Sequence, residues 1–88
     1  SQADRRVLEK NFRINLQDKG DNRWALRLTP ITSPLDKIFA SIDLSGQQFL
    51  ETIQLNDQQG DRTDIALSQH RLTPATLTHD EQQRFSAQ

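Results

Sequence analysis

Hydrophobic and polar residues alternate along most of this chain with a period of two. The clearest stretch is residues 23–30, where Trp24, Leu26 and Leu28 fall on one side and polar or small residues on the other. Period two is the pattern of a strand with one buried face. Pro30 has no N–H to donate to a ladder, so it predicts the end of this strand.

The same alternation predicts four further strands. They span residues 12–17, 40–46, 49–56 and 62–68. Turn-forming residues separate them, with glycines at Gly20, Gly46 and Gly60. Gly60 suits the left-handed position that follows a type I turn. The spacing therefore predicts hairpins, which join into an antiparallel sheet with one apolar face.

Short helices are predicted at both ends of the sheet. Residues 3–11 are rich in helix formers, and Asp4 complements a helix N-terminus. Near the other end, Thr78 and Glu81 have the spacing of a capping box. This predicts a C-terminal helix whose one large apolar residue is Phe85.

The connection between the second and third strands predicts a single helical turn. Pro34 suits the first position of a helix, and Ser33 is of the residue type that caps helix N-termini. We therefore predict a turn over residues 35–39 that Ser33 caps.

The length of 88 residues and the hydrophobic content of 33% make the expected core thin. Such a chain forms one domain, here residues 1–88, and buries only about 60 to 65% of its extended surface. The predicted sheet has one broad apolar side, and only short helices are predicted to cover it. This imbalance points to an uncovered surface rather than a closed core.

Charge and residue usage exclude several functions. The net charge is -1, with both signs interspersed, so we expect no nucleic-acid partner. The absence of cysteine excludes disulfides, thiolate metal sites and cysteine nucleophiles. No run approaches the ~20 apolar residues of a membrane span, and no signal segment begins the chain. Starting at Ser1 without a methionine, the chain is expected to be a mature or excised fragment.

Residues for catalysis or metal binding are hard to find. The nucleophile-elbow, phosphate-loop and zinc-protease motifs are missing. His70 and His79 do not have the spacing of a ligand pair and fit solvated histidines better. The aspartates around Gly60 do not form a calcium loop, because Leu55 would occupy its first position. We therefore expect no enzyme, no catalytic residues, no metal and no cofactor.

The two sides of the predicted sheet leave two questions open. Arg23 and Arg27 share the polar side, where they either are solvated or pair with a carboxylate of a neighbouring strand. The apolar row is either core or a surface that faces a ligand. That row comprises Trp24, Leu26, Leu28, Ile42, Leu44, Ile53, Leu55, Ile65 and Leu67.

Five segments of the chain follow one another in a recognisable order. They are residues 12–16, the W-A-L-R-L-T-P strand at 24–30, I-F-A-S-I at 38–42, Gly46, and G-D-R-T at 60–63. Together they resemble the C-terminal half of the LolA-like periplasmic lipoprotein carriers, and most closely the LolA-related proteins of Gram-negative bacteria. The likeness covers nearly the whole chain, from about residue 12 to residue 85.

The resemblance implies a curved, incomplete antiparallel barrel, closed on one side by helices, of which this chain is about half. Its apolar concavity would receive acyl chains of a lipid or lipoprotein. Such carriers are not enzymes; they take a lipid-modified client from an inner-membrane transporter and pass it to an outer-membrane acceptor. The implied location is the periplasm, with a signal peptide on the full-length protein.

The chain lacks the N-terminal strands in which the family's ligand-coupled arginine is expected, so no residue role is carried over from the family. The resemblance supports only the hypothesis that the apolar face lines part of a cavity. We expect the ligand-binding residues to be Trp24, Leu26, Leu28, Ile42, Leu44, Ile53, Leu55 and Ile65. The alternative is a protein-protein interaction module that uses the sheet face or edge. Exposed edges and an exposed face also predict self-association of the chain.

Overall fold

The computed structural model describes residues 1–68 and is mainly β. Five antiparallel strands lie side by side in chain order in one unclosed sheet. The elements are α1 (Gln2–Asn11), β1 (Phe12–Gly20), β2 (Arg23–Pro30), α2 (Leu35–Ile38), β3 (Phe39–Gly46), β4 (Leu50–Asp57) and β5 (Arg62–Ala66). The predicted fold class is confirmed. The predicted C-terminal helix, with Phe85, and both histidines lie outside the described residues.

The start of α1 is fixed by a capping box. The Asp4 backbone N–H donates to the Ser1 hydroxyl oxygen at 3.3 Å, and the Ser1 amino group donates to the Asp4 carboxylate at 3.3 Å. These bonds satisfy N-terminal groups that the helix itself leaves without partners. The helix predicted for residues 3–11 is thus confirmed.

The end of α1 is tied to the segment after β2. The Asn11 carbonyl accepts from the Ile31 N–H at 2.9 Å, and the Asn11 side chain accepts from the Thr32 hydroxyl at 2.7 Å. Phe12 has extended backbone angles, so the helix passes directly into β1. Val7 is 60% exposed, and no residue of α1 is buried. Within the described part of the chain, the helix is therefore anchored at its end, and none of its residues is buried.

A two-residue turn connects β1 to β2. Asp21 and Asn22 have φ values of 55° and 62°, the left-handed conformation that a type I′ turn requires at both positions. The predicted turn covered residues 18–22 around Gly20. In the structure β1 extends to Gly20, with a register shift after Asp18. The turn is shorter because Asp and Asn tolerate φ > 0 better than other non-glycine residues.

The helical turn α2 is confirmed, but the prediction that Ser33 caps it is wrong. The N-cap residue is Pro34, and no side chain bonds to the exposed amides there. Ser33 lies one position too early to reach those amides. Instead, the Asp36 N–H donates to the Thr32 carbonyl oxygen at 3.1 Å. Backbone replaces side chain as the partner at this helix start.

Pairing between β3 and β4 is irregular at both ends of β3. One register shift lies between Phe39 and Ser41, and another between Ser45 and Gly46. Ala40 falls in the first shift and is exposed, although alternation placed it on the apolar side. Such bulges insert a residue into one strand and change the side to which the neighbouring residue points.

Gly46 is required by the close approach of the backbone after it. A Cβ built on Gly46 would lie 2.1 Å from the Phe49 carbonyl oxygen. That carbonyl accepts from the Gln47 N–H at 3.1 Å, which closes the turn. Phe49 consequently belongs to the turn, and β4 begins at Leu50, one residue later than predicted.

The connection between β4 and β5 has the predicted glycine conformation. Gly60 has a φ of 89°. The Asp57 carboxylate accepts from the backbone N–H groups of Gln59 and Asp61, both at 2.9 Å. The Asp57 side chain therefore stabilises the turn through hydrogen bonds from its backbone.

Candidate ligand-binding face

The register of the sheet brings the apolar residues of all five strands to one side. Residues directly opposite each other in an antiparallel pair point to the same side. The pairs include Ile14 with Leu28, Leu16 with Leu26, Leu26 with Leu44, Leu28 with Ile42, Ile42 with Leu55, Leu44 with Ile53, and Ile53 with Ile65. Together with Trp24, these residues form what we call the apolar face.

All the predicted ligand-binding residues lie on this face, which also includes residues that were not selected. Ile14 and Leu16 of β1 extend it to the outer strand. Their signal was present in the sequence, because they follow the same alternation as the selected residues. Leu67, which the predicted row included, lies beyond the end of β5.

Burial on the apolar face falls from the centre of the sheet to its edges. Leu28 is 7% exposed and is the only buried hydrophobic residue among residues 1–68. At the edges Ile65 is 37% exposed, Ile14 39% and Leu16 69%. Neither α1 nor α2 buries a residue. The described elements therefore leave much of the apolar face open.

Trp24 lies at one end of the apolar face, and its indole N–H is hydrogen-bonded. Its indole Nε1–H donates to the Gln47 carbonyl oxygen at 2.7 Å, and the Gln47 amide donates to the Asp21 carbonyl oxygen at 2.8 Å. Gly46 lies directly opposite Trp24 on β3. The indole is thus held between two turns, with its N–H bonded and its ring left for apolar contact.

The opposite side of the sheet, which we call the polar face, is held by ion pairs and hydrogen bonds. Arg27 Nε donates to Asp43 Oδ1 at 2.7 Å, and Arg27 Nη2 to Asp43 Oδ2 at 3.1 Å. Asn56 adds a third donor to the Asp43 carboxylate at 3.0 Å. Arg23 pairs with Glu51 at 2.5 Å. Arg23 and Arg27 were expected either to be solvated or to pair with a carboxylate, and both pair with one.

The Asp43 carboxylate is stabilised in its charged form. The Arg27 hydrogen bond is the main cause that lowers the pKa of Asp43 below its ordinary value; burial opposes this, and the Arg27 charge and the Asn56 bond add to it. Asp43 in turn raises the pKa of Arg27. The Asp43 carboxylate at the centre of the polar face is therefore satisfied by side chains of the same face.

Cavities occur on both sides of the sheet. One of about 430 Å³ opens on the polar face, where four strands contribute residues such as Asn15, Ala25 and Asp43. Two others adjoin the apolar residues of β1. One of about 380 Å³ touches Leu16 and Trp24, and one of about 440 Å³ lies between α1 and the start of β1. A ligand on the apolar face thus meets an open surface with hollows along β1.

Residues 1–68 contain neither a metal-binding cluster nor a membrane-spanning helix. That part of the chain contains no cluster of three or more histidine, cysteine, aspartate or glutamate side chains able to hold a metal ion. Its helices are all too short or too polar to cross a membrane.

Neither a protein-family model nor a curated protein sequence matches this chain. The apolar face is therefore the feature of residues 1–68 that points to a function.

Proposed function

We propose that this chain is part of a LolA-like carrier that binds acyl chains of a lipid or lipoprotein on the apolar face and is not an enzyme. The observation that carries the proposal is the width of this face, which runs across five strands with Leu28 as the one buried hydrophobic residue of the described part. The proposed partners are an inner-membrane transporter and an outer-membrane acceptor, and the proposed location is the periplasm.

The chemistry of the apolar face suits an acyl chain. Its members are aliphatic except for Trp24, whose N–H is already bonded to Gln47. A ligand on it therefore needs no hydrogen-bonding groups, and each CH₂ removed from water contributes about 0.8 kcal/mol. Because the surface is open, binding depends on contact area, which allows a chain to be held and later released.

The polar face does not suit such a ligand. Its central residues, Arg27 and Asp43, bond to each other, and their neighbours are polar or small. Burying this ion pair under a hydrocarbon would remove charged groups from water at a large cost. An added carboxylate is thus expected to abolish ligand binding on the apolar face and to leave it unchanged on the polar face.

Negative charge on the apolar face tests the proposal. Leu26→Glu and Ile53→Glu each place a carboxylate at the centre of the apolar face, so we expect both to abolish binding of an apolar fluorophore such as N-phenyl-1-naphthylamine. Palmitate should displace the fluorophore from the wild-type chain. The measurement is a fluorescence titration of the whole chain.

Gln17→Glu is the matched control for these variants. Gln17 lies on the polar face of β1, is exposed, and accepts the same charge without touching the apolar face. It should bind the fluorophore like the wild type. Trp24 emission and circular dichroism establish that each variant is folded. Unchanged binding by folded Leu26→Glu and Ile53→Glu variants would show the assignment of the apolar face to be wrong.

A protein-protein interaction module is the second candidate, favoured by the edges of the sheet. Within residues 1–68, β1 and β5 each have one neighbouring strand, so their outer backbone groups are available to a partner strand. The fluorophore separates the candidates. A module of this kind binds a folded protein but gives no palmitate-sensitive fluorescence.

A further inference from the structure

The two outer strands of the sheet differ in how well they resist pairing with another chain. β5 is short, with five residues, and its Arg62 and Asp64 side chains pair with each other at 3.2 Å. β1 has nine residues, contains no proline, and carries its register shift only after Asp18. Short charged strands and bulges protect an edge, whereas long regular ones invite pairing. The part of β1 before Asp18 is the less protected edge.

The hydrogen bond at the start of β1 shows which backbone groups point outward. The Ile31 N–H donates to the Asn11 carbonyl, next to the Phe12 and Pro30 pair. Since bonded and non-bonded pairs alternate in an antiparallel ladder, the odd-numbered residues of β1 bond to β2. The even-numbered residues direct their N–H and C=O groups away from the sheet.

In the part of β1 before Asp18, two residues therefore present complete sets of outward backbone groups. Ile14 and Leu16 each offer one N–H and one C=O with no partner in the described ladder. Phe12 offers only its carbonyl, because its N–H already donates to the Leu8 carbonyl. The outward groups thus centre on Asn15, which lies between Ile14 and Leu16.

We propose that two copies of this chain pair along β1 in antiparallel orientation, with the two-fold axis at Asn15. In this register Ile14 of one copy exchanges both backbone bonds with Leu16 of the other, and the reverse pair does the same. Two five-stranded sheets then join into one continuous sheet. Such an interface is the same patch on both copies, as two-fold symmetry requires.

Side chains also favour this register. It places Ile14 beside Leu16 of the second copy on the apolar face, and Arg13 opposite Gln17 on the polar face. An axis at Leu16 would bring Arg13 opposite Lys19 of the second copy, and like charges directly opposite destabilise a pair. An axis at Ile14 would leave fewer of the outward N–H groups bonded, because the N–H of Phe12 is already used.

A single introduced cysteine tests the register, because the chain has no cysteine of its own. Under the proposal Asn15 faces Asn15 of the second copy in a non-bonded pair, with Cα atoms about 4.5 Å apart. That distance is within reach of a disulfide. Mild oxidation of the full chain carrying Asn15→Cys should therefore give a covalent dimer on non-reducing electrophoresis.

Gln17→Cys is the matched control on the same face of the same strand. Gln17 would lie opposite Arg13, so its own copy is four residues away along the strand, or about 13 Å. No disulfide dimer should form from this variant under the same conditions. Equal cross-linking of both variants, or none with Asn15→Cys, would overturn the proposed register.

A proline tests the pairing without any cross-link. Leu16→Pro removes an N–H that points away from β2, so the ladder within the chain is retained and only the edge is blocked. Sedimentation equilibrium should show dimer for the wild type and for Leu16→Ala, and loss of dimer for Leu16→Pro. Near-ultraviolet circular dichroism of Trp24 establishes that the variants are folded.

The proposal fails if the wild type is monomeric at all concentrations or if folded Leu16→Pro dimerises as well as Leu16→Ala. None of these readouts requires a lipid, so the inference stands or falls separately from the proposed carrier function. Pairing along β1 leaves the apolar face open on both copies.

Discussion

The two faces of this sheet are built from the same strands but differ in how their side chains are satisfied. On the polar face, Arg27 and Asn56 both donate hydrogen bonds to the Asp43 carboxylate. On the apolar face, most residues are only half-buried, and Leu28 alone among hydrophobic residues 1–68 is buried. One face is therefore complete within the described chain, and the other is not.

This difference shows that alternation along the strands can create an apolar surface even where no second layer covers it. A sheet normally buries its apolar face against a second layer. Here the described helices do not supply that layer, since neither α1 nor α2 has a buried residue. The stability of the sheet must then depend strongly on the few residues that are well packed, which the following variants test.

The largest effect is expected at the centre of the apolar face. Leu28→Ala removes the best-buried side chain, so we expect it to lower the free energy of unfolding by about 3 kcal/mol. Leu16→Ala changes a side chain that is 69% exposed, and we expect less than about 0.5 kcal/mol. Urea unfolding followed by Trp24 fluorescence measures both. Equal losses would mean that the apolar face is covered more evenly than the described residues indicate.

A smaller effect is expected at the turn between β3 and β4. Gly46→Ala places a methyl group against the Phe49 carbonyl, which forces the backbone to move, at a cost of about 2 kcal/mol. Gly60→Ala meets open space and suffers only from its positive φ, at about 1 kcal/mol. Thermal unfolding of the two variants gives the comparison. If Gly60→Ala were the more damaging, the close contact at Gly46 would not be limiting.

The smallest effect is expected on the polar face and depends on pH. Because Arg27 lowers the folded-state pKa of Asp43, the carboxylate stabilises the fold fully above its ordinary pKa of 3.8. That contribution is lost as the pH falls through the lower folded-state pKa. Asp43→Asn does not titrate there, so the wild-type advantage in urea midpoint should shrink on acidification. An advantage that stays constant as the pH falls far below the ordinary pKa of Asp43 would contradict this account.

Much of the fold was predictable because alternation is a local property. Trp24, Leu26 and Leu28 predicted β2 and its apolar side, and the structure has both. Gly60 predicted its own left-handed turn, because a positive φ is a requirement that one residue meets alone. The grouping of the predicted ligand-binding residues on one side also followed from the period-two alternation along each strand.

What was missed depends on contacts between strands. Ala40 has no partner on β4 because β3 shifts register there, and Phe49 joins a turn because its carbonyl bonds to Gln47. Ser33 is a residue type that caps helices, but at the start of α2 the Thr32 carbonyl accepts the hydrogen bond from the Asp36 N–H. In each case a backbone partner elsewhere competed with the local preference, and local propensity is too weak to decide such a competition.

The sequence by itself determined the five strands of residues 1–68 and which side of each is apolar, since side-chain direction in a strand reverses at every residue. Only the tertiary structure decided that Arg27 meets Asp43 and that Gly46 must lack a side chain. It also decided that Ile14 and Leu16 stand on an outer edge with their backbone groups directed away from the sheet. These features arise from strand order and register, which are set by the pairing of segments distant in sequence.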